Sequence, residues 1–129
     1  MPAIDVKQEA LAAVDRYLAA LNKRDTIAIR DAFNFPHMRV GAQGNLSRYE
    51  TPEDYDFSHF FDQTSKDGWH HTAWDKTEVV YATEGKAHVA VDFTRYREDG
   101  SAIGRYFSLY IVTCQNGHWG IQVGSGNGT

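Results

Sequence analysis

The stretch "VDRYLAALNKRDTIAIRDAFNFPHMRV", Val14 to Val40, changes its period twice and so carries two element boundaries. Its opening continues a helical stripe that begins near Asp5: Leu11, Val14, Leu18 and Leu21 recur at helical spacing, with Tyr17 three residues after Val14 on the same stripe. A helix from Asp5 to Asn22 is predicted. The polar run "NKRD" interrupts it, and a shorter helix is predicted from about Thr26 to Phe33, with Ile29, Ala32 and Phe33 turned inward. Pro36 then disfavours helix at Phe35, because the proline ring crowds the backbone of the residue before it. A strand through His37 to Gly41 follows.

Further along, "ETPED" reads as a helix start, with Thr51 as N-cap, Pro52 at the first helical position, and Glu53 and Asp54 against the positive end of the helix dipole. That third helix buries Tyr55, Phe57, and Phe60 or Phe61, and fades before Gly68. Beyond it the pattern alternates. Strands of about Trp69–Ala82, Lys86–Arg97, Ile103–Gln115 and His118–Ser125 are separated by the turn signals "TEGK", "REDGS" and "QNG". Helices followed by an antiparallel meander make an α+β domain with the helices on one face of a curved sheet.

The turns also assign faces, because cross-strand partners lie on the same side of a sheet. A two-residue turn at Asn116-Gly117 pairs Ile111 with Gln122 and Leu109 with Gly124. If "REDGS" pairs Arg95 with Ile103, one face reads Val89, Val91, Phe93, Arg95, Phe107, Leu109, Ile111 and Gln122, and should meet the helices. Burying Arg95 there requires a carboxylate. If "ATEGK" makes a three-residue turn, Asp75 falls opposite Phe93, beside Arg95, with His71 on the same face; a two-residue turn would instead put Lys76 and Glu78 into the core. The other face then carries His88, Asp92, Thr94, Tyr96, Tyr106, Ser108, Tyr110, Trp119, Ile121 and Val123, a mixture that suits a homodimer interface.

At 129 residues the chain is expected to form one domain spanning 1–129. Hydrophobic content of 42% and aromatic content of 13% describe an ordered protein. No segment approaches the roughly twenty apolar residues of a membrane span, and "MPAIDVKQEA" has neither the basic nor the apolar region of a secretion signal, so a cytoplasmic protein without membrane contact is expected. The single cysteine, Cys114, excludes an internal disulfide and a cysteine-based zinc site. Net charge is -4 with basic residues scattered, so no nucleic-acid partner is expected. The C-terminal "GSGNGT" reads as a flexible end.

The run "VDRYLAALNKRD" followed by "IAIRDAF" resembles the opening of the NTF2-like superfamily, particularly its SnoaL-like and ketosteroid-isomerase-like branches. The strands "AHVAVDFTRYREDGS" and "YFSLYIVTCQNGHWGIQ" are similar to the paired long strands of those proteins. The resemblance implies a cone-shaped NTF2-like (cystatin-like) fold. In it three N-terminal helices pack on a curved, mostly antiparallel sheet, with a pocket at the open end and frequent dimers. It also implies a role for Tyr17, which matches the tyrosine that in steroid isomerases donates to a dienolate oxygen. Those isomerases further need a carboxylate base on the first strand, where this chain has "HMRVGAQG", and a protonated acid on the penultimate strand, where it has Leu109, Tyr110 and Ile111. With two of the three groups missing, that reaction is not expected.

The fold serves many functions, so activity must be read from the pocket. The expected ligand is a small, largely apolar molecule, bound without a cofactor or metal. Candidate catalytic residues are Tyr17 as donor to developing negative charge, His37 or Asp75 as proton carrier, and Arg95 as the group that sets the charge state or holds a substrate carboxylate or enolate. Such a set would run metal-free isomerisation, cyclisation or dehydration. Each has a structural alternative: Tyr17 as core filler, His37 as a hydrogen bonder to a helix end, Asp75 with Arg95 as a buried ion pair. Phe35, Arg39, Phe60, Trp69, His71, Phe93 and Gln122 are the expected ligand-binding residues. The competing function is a non-enzymatic binding or dimerisation module. No metal ligation is expected, since His70 and His71 are adjacent on a strand and no HxH or HExxH spacing occurs.

Overall fold

The computed structural model describes residues 5–127. Helix α1 (Val6–Asn22) starts where the Asp5 carboxylate accepts from the Gln8 N–H at 3.2 Å, and buries Ala10, Ala13, Val14, Tyr17, Ala20 and Leu21. Its last residue ties it to the sheet: the Asn22 amide donates to the Thr72 carbonyl and accepts from the Thr72 N–H. Asp25 caps α2 (Thr26–Asp31) in the same way as Asp5 caps α1. The second helix ends two residues before the predicted end, because Phe33 already belongs to strand β1 (Phe33–Val40) and the Ala32 carbonyl accepts from Ile121.

Two elements depart from the sequence reading. A short strand β2 (Leu46–Tyr49) pairs with β1 and was not predicted, its four residues being too few to display a period. The single third helix is instead a 3-10 turn at Pro52–Asp54, then an extended link, then α3 (Ser58–Lys66). The Asp54 carboxylate turns back to accept from the Thr51 N–H, which closes the first turn, and the Asp56 carboxylate accepts from the Ser58 N–H and hydroxyl, which opens α3. Between them Arg30 of α2 donates twice to the Tyr55 carbonyl and holds the link against the body of the protein.

Strands β3 (Trp69–Ala82), β4 (Lys86–Arg97), β5 (Ala102–Gln115) and β6 (His118–Gly126) complete a six-stranded sheet of order β2-β1-β6-β5-β4-β3. Every pairing is antiparallel except β1 with β6, which is parallel. The C-terminal run expected to be a flexible end is ordered through Asn127: Gly124 to Gly126 belong to β6 and the Asn127 N–H donates to Phe107. Residues 128 and 129 lie outside the described region. Among the described residues no helix is long and apolar enough to cross a membrane.

The register differs from the predicted one at single-residue bulges. The turn at Asn116-Gly117 pairs Gln115 with His118 as expected, and this register runs to Val112 with Ile121. Gln122 is then an extra residue, so Ile111 faces Val123. Ile103 is likewise extra opposite Arg95 and Tyr96, so Val91 pairs with Ser108 and not with Phe107. On β3 the predicted register holds from Lys76 to Val79, and a bulge at Asp75 shifts everything before it. Each bulge exchanges faces, because side chains alternate with a period of two. The inner face therefore carries Val89, Val91, Phe93 and Arg95 as predicted, but on β5 it carries Tyr106, Ser108, Tyr110 and Val112. Phe107, Leu109 and Ile111 point outward, while Trp119 and Ile121 join the core.

Candidate functional site

Between α3 and the sheet lies a cavity of about 560 Å³. The link and α3 contribute Tyr55, Phe57, Phe60 and Thr64 to its wall, β2 contributes Ser47 and Tyr49, and β1 and β4 contribute one arginine each, Arg39 and Arg95. The aromatic part of the wall is continuous. Tyr55 lies 4.5 Å from Tyr49, 4.4 Å from Phe57 and 5.0 Å from Phe33 between ring centroids, and Phe57 meets Phe60 at 6.0 Å. Burial pushes the Tyr55 phenol well above its ordinary value, and the Tyr110 phenol up to about 12. Both are neutral hydrogen-bonding groups at physiological pH.

His37 is fully buried and stacks on Phe33 at 3.9 Å with the rings 7° apart. Its Nδ1 lies 2.9 Å from the Ile121 carbonyl oxygen. A carbonyl can only accept, so Nδ1 carries the proton and Nε2 offers a lone pair. Arg39 Nε–H donates to that lone pair at 3.0 Å. The ring is therefore neutral and bonded at both nitrogens. Burial, reinforced by the Arg39 charge and opposed by the Ile121 bond, lowers its pKa from 6.5 to about 2.

Arg39 occupies the centre of an aromatic cage, with its guanidinium carbon 5.2 Å from the Phe33 ring centroid, 5.6 Å from Tyr17, 5.9 Å from Tyr110 and 6.0 Å from Tyr55. Burial opposes its charge, while the rings around it and the Tyr17 phenol oxygen, an acceptor, favour it, and the guanidinium stays protonated. Arg95 is caged in turn by Tyr106 at 4.5 Å, Phe60 at 5.2 Å and Phe93 at 5.8 Å.

Of the residues predicted for a site, Arg39, Phe60 and Arg95 line the cavity, with Tyr17 and Phe93 behind the arginines. The expected grouping of Asp75, Arg95 and His71 does not form. The bulge at Asp75 turns its carboxylate to the outer face, where it accepts from the Thr94 hydroxyl at 2.6 Å and stands 3.8 Å from Arg105. His71 is also on the outer face, stacked on Tyr96 at 5.1 Å. Trp69 is core, packed between Phe60, Phe61 and the Arg24 guanidinium, with its indole N–H on the Thr72 hydroxyl. Gln122 spans β6 and β1, donating to the Pro36 carbonyl and accepting from Thr113. Phe35 borders a separate groove beside α2, with Ile27 and Pro52.

Tyr49, Tyr55, Phe57 and Ser47 were not read as site residues. Tyr55 and Phe57 showed as apolar groups of a helix, but nothing local indicated that the helix would break and lay them along the cavity. Among the described residues no cluster of three or more His, Cys, Asp or Glu side chains could hold a metal ion.

With this geometry, comparison with known proteins is direct. A family model described as NTF2-like protein (DUF6841) matches residues 8–127, and the chain belongs to that family. No curated protein matches the sequence. Solved structures share the fold. An NTF2-like protein with a cystatin-like fold from Novosphingobium aromaticivorans is 11% identical with a TM-score of 0.75, over 95% of this chain and 81% of that one. An NTF-2 like protein of unknown function from Shewanella oneidensis MR-1 is 12% identical with a TM-score of 0.73, over 94% and 98%. A ketosteroid isomerase-like protein from Erwinia carotovora atroseptica is 16% identical with a TM-score of 0.71, over 95% of each chain. At such identities the likeness establishes the cystatin-like α+β fold and leaves the activity to the site.

Proposed function

We propose that the protein binds a small, largely apolar ligand in the cavity between α3 and the sheet, as a binding module and not as an acid–base catalyst acting through His37 or Asp75. The observation that carries this reading is the aromatic wall of Tyr49, Tyr55, Phe57 and Phe60 around about 560 Å³, a size and character typical of small-molecule sites. Metal-free isomerisation, cyclisation or dehydration needs a group that moves a proton at the bound molecule. His37 has both nitrogens engaged within the protein and Asp75 lies across the sheet, so neither supports catalysis. Tyr17 lies behind Arg39, off the cavity wall, with its phenol oxygen an acceptor for the guanidinium, so it supports Arg39 and not a proton transfer at the bound molecule.

A panel of small aromatic and alicyclic compounds, titrated while thermal unfolding is followed, is expected to include saturable ligands that raise the unfolding temperature. Ser47→Trp, which fills the cavity from β2, is expected to abolish the shift while leaving the far-ultraviolet spectrum intact. A panel without effect, or equal binding by the variant, would refute the reading. Mass spectrometry of the bound compound after long incubation separates binding from turnover, and the compound is expected to be unchanged.

We also propose a homodimer through the outer face of the sheet. The bulges give that face a more apolar centre than the sequence reading did: Met38, Leu109, Ile111 and Val123 lie together on adjacent strands, with Phe107 46% exposed beside them. Tyr106, Ser108, Tyr110, Trp119 and Ile121, expected there, are turned inward instead. Leu109→Lys is expected to convert the dimer to a monomer in sedimentation velocity without loss of helix or strand signal. A wild-type monomer, or a dimer that survives the substitution, overturns the proposal. A cytoplasmic location belongs to the same reading, supported by a single cysteine and no disulfide.

A further inference from the structure

We infer that the ligand of this cavity carries a carboxylate, and that the Arg39 guanidinium is the group that binds it. The inference rests on the proposed binding function and names the chemical class of the molecule.

The chain commits Arg39 to the inner face. Arg39 pairs with Gly124 of β6, and a Cβ at Gly124 would stand 3.2 Å from the Cδ, Cζ and Nη1 atoms of Arg39. The missing side chain is what leaves a lane for the guanidinium across the strand. His37 then fixes it: with Nε–H bonded to the imidazole, which is itself bonded to the Ile121 carbonyl, the fork can turn only by breaking a buried bond.

What Arg39 lacks is a counter-charge. Its Nη2 is buried and has no hydrogen-bond partner. Among the described residues no carboxylate forms an ion pair with it. Aromatic rings surround it and offer cation–π attraction, and the Tyr17 phenol is a neutral acceptor for the guanidinium, so no negative charge meets it within the protein. A buried guanidinium left in that condition is strongly unfavourable unless a partner arrives. Because Nε is taken by His37, the side left for a ligand is the Nη edge, where Nη2 is the group without a partner, and that edge matches the oxygens of a planar carboxylate. The acids that line the same cavity, Asp56 and Asp67, are exposed and so do not neutralise Arg39 at depth.

Two features favour a monocarboxylate over a phosphate. Four aromatic rings, Tyr49, Tyr55, Phe57 and Phe60, lie together on the cavity wall and suit a flat apolar body behind the head group. The fixed fork also presents one edge, sufficient for one carboxylate.

The test uses matched pairs that differ only at the head group: benzoate against benzamide, phenylacetate against phenylacetamide, with phenyl phosphate as a third arm. Calorimetric titration of the wild-type protein is expected to show each carboxylate binding at least about tenfold tighter than its amide, the gain expected of a charge-assisted bidentate contact. Arg39→Met is expected to bring the ratio close to one, and Arg39→Lys to retain part of the preference. If Arg39→Met does not fold, Arg39→Lys and the wild-type ratios decide the matter. Amides that bind as well as the acids, or a ratio untouched at Arg39, overturn the carboxylate assignment while the cavity reading stands. Phenyl phosphate binding more tightly than the carboxylates overturns it in favour of a phosphate ligand. Binding by none of these compounds counts against both, and the aromatic and alicyclic panel then shows whether the cavity binds anything at all.

Discussion

Acidification from pH 7 to pH 5 is expected to remove about 2 kcal/mol of unfolding free energy through His37 alone. In the unfolded chain this imidazole takes up a proton near pH 6.5, whereas in the folded protein it stays neutral until about pH 2. Between those values the unfolded state binds more protons, so stability is fully present above pH 6.5 and falls as the pH is lowered. The cause is geometric. A proton on Nε2 would replace the acceptor of Arg39 Nε–H with a second cation, on a ring with no exposed surface. His37→Phe keeps the stack on Phe33 and removes the titration. At pH 7 it is expected to be less stable by about 2–4 kcal/mol, because the Ile121 carbonyl and Arg39 Nε each lose a buried partner. Its further loss between pH 7 and pH 5 should be smaller than that of the wild type by about the 2 kcal/mol assigned to His37. Urea unfolding at a series of pH values reads both quantities, and equal acid losses in the two proteins would remove His37 as their source.

Gly120→Ala is expected to destabilise the protein by about 3 kcal/mol or more. A Cβ at Gly120 would stand 2.7 Å from the Phe33 carbonyl carbon and 2.9 Å from both the Asn34 nitrogen and the Phe33 oxygen. All three are backbone atoms, so no side chain can move aside and the strands themselves must part. That separation falls where β1 meets β6: the Ile121 N–H donates to the Ala32 carbonyl there at 2.9 Å, and the Asn34 amide bonds to the Thr113 and His118 carbonyls. The same movement would pull Ile121 away from His37 and loosen the seat of Arg39. Gly85→Ala is the control. Nothing lies within 4 Å of a Cβ built there, and its stability is expected to change by no more than about 0.5 kcal/mol. Thermal or chemical unfolding of the two variants makes the comparison, and a Gly120→Ala protein as stable as Gly85→Ala would show that β1 and β6 can separate without cost.

The opening helices, the two-residue turn at Asn116-Gly117 and the four strands from Trp69 onward, within one residue of their ends, were legible because each depends on neighbours in the chain. A helical stripe and an Asn-Gly pair act through contacts a few residues long. Which inner-face residues β4 presents was legible too, since Val89, Val91 and Phe93 alternate with polar groups.

The site itself was only partly legible. Arg39 and Arg95 could be named as candidates, but their partners depended on bulges at Asp75, Ile103 and Gln122, and a bulge leaves no reliable mark in a single sequence. One extra residue was enough to exchange Asp75 for Thr72 and Trp74 on the inner side of β3, and Leu109 for Tyr110 on β5. The break after Asp54 was hidden for a similar reason: what holds the link is Arg30, reaching the Tyr55 carbonyl from another helix.

For this protein, then, the local code determined most of the elements and the α+β class, through periodicity and turns that need no distant partner, and the resemblance of its opening run and long strands pointed to the family. Only the tertiary structure decided that His37 is a neutral, buried holder of Arg39. That role requires the Ile121 carbonyl, eighty-four residues away in the chain, to take the proton on Nδ1, and a parallel pairing of β1 with β6 to bring it there.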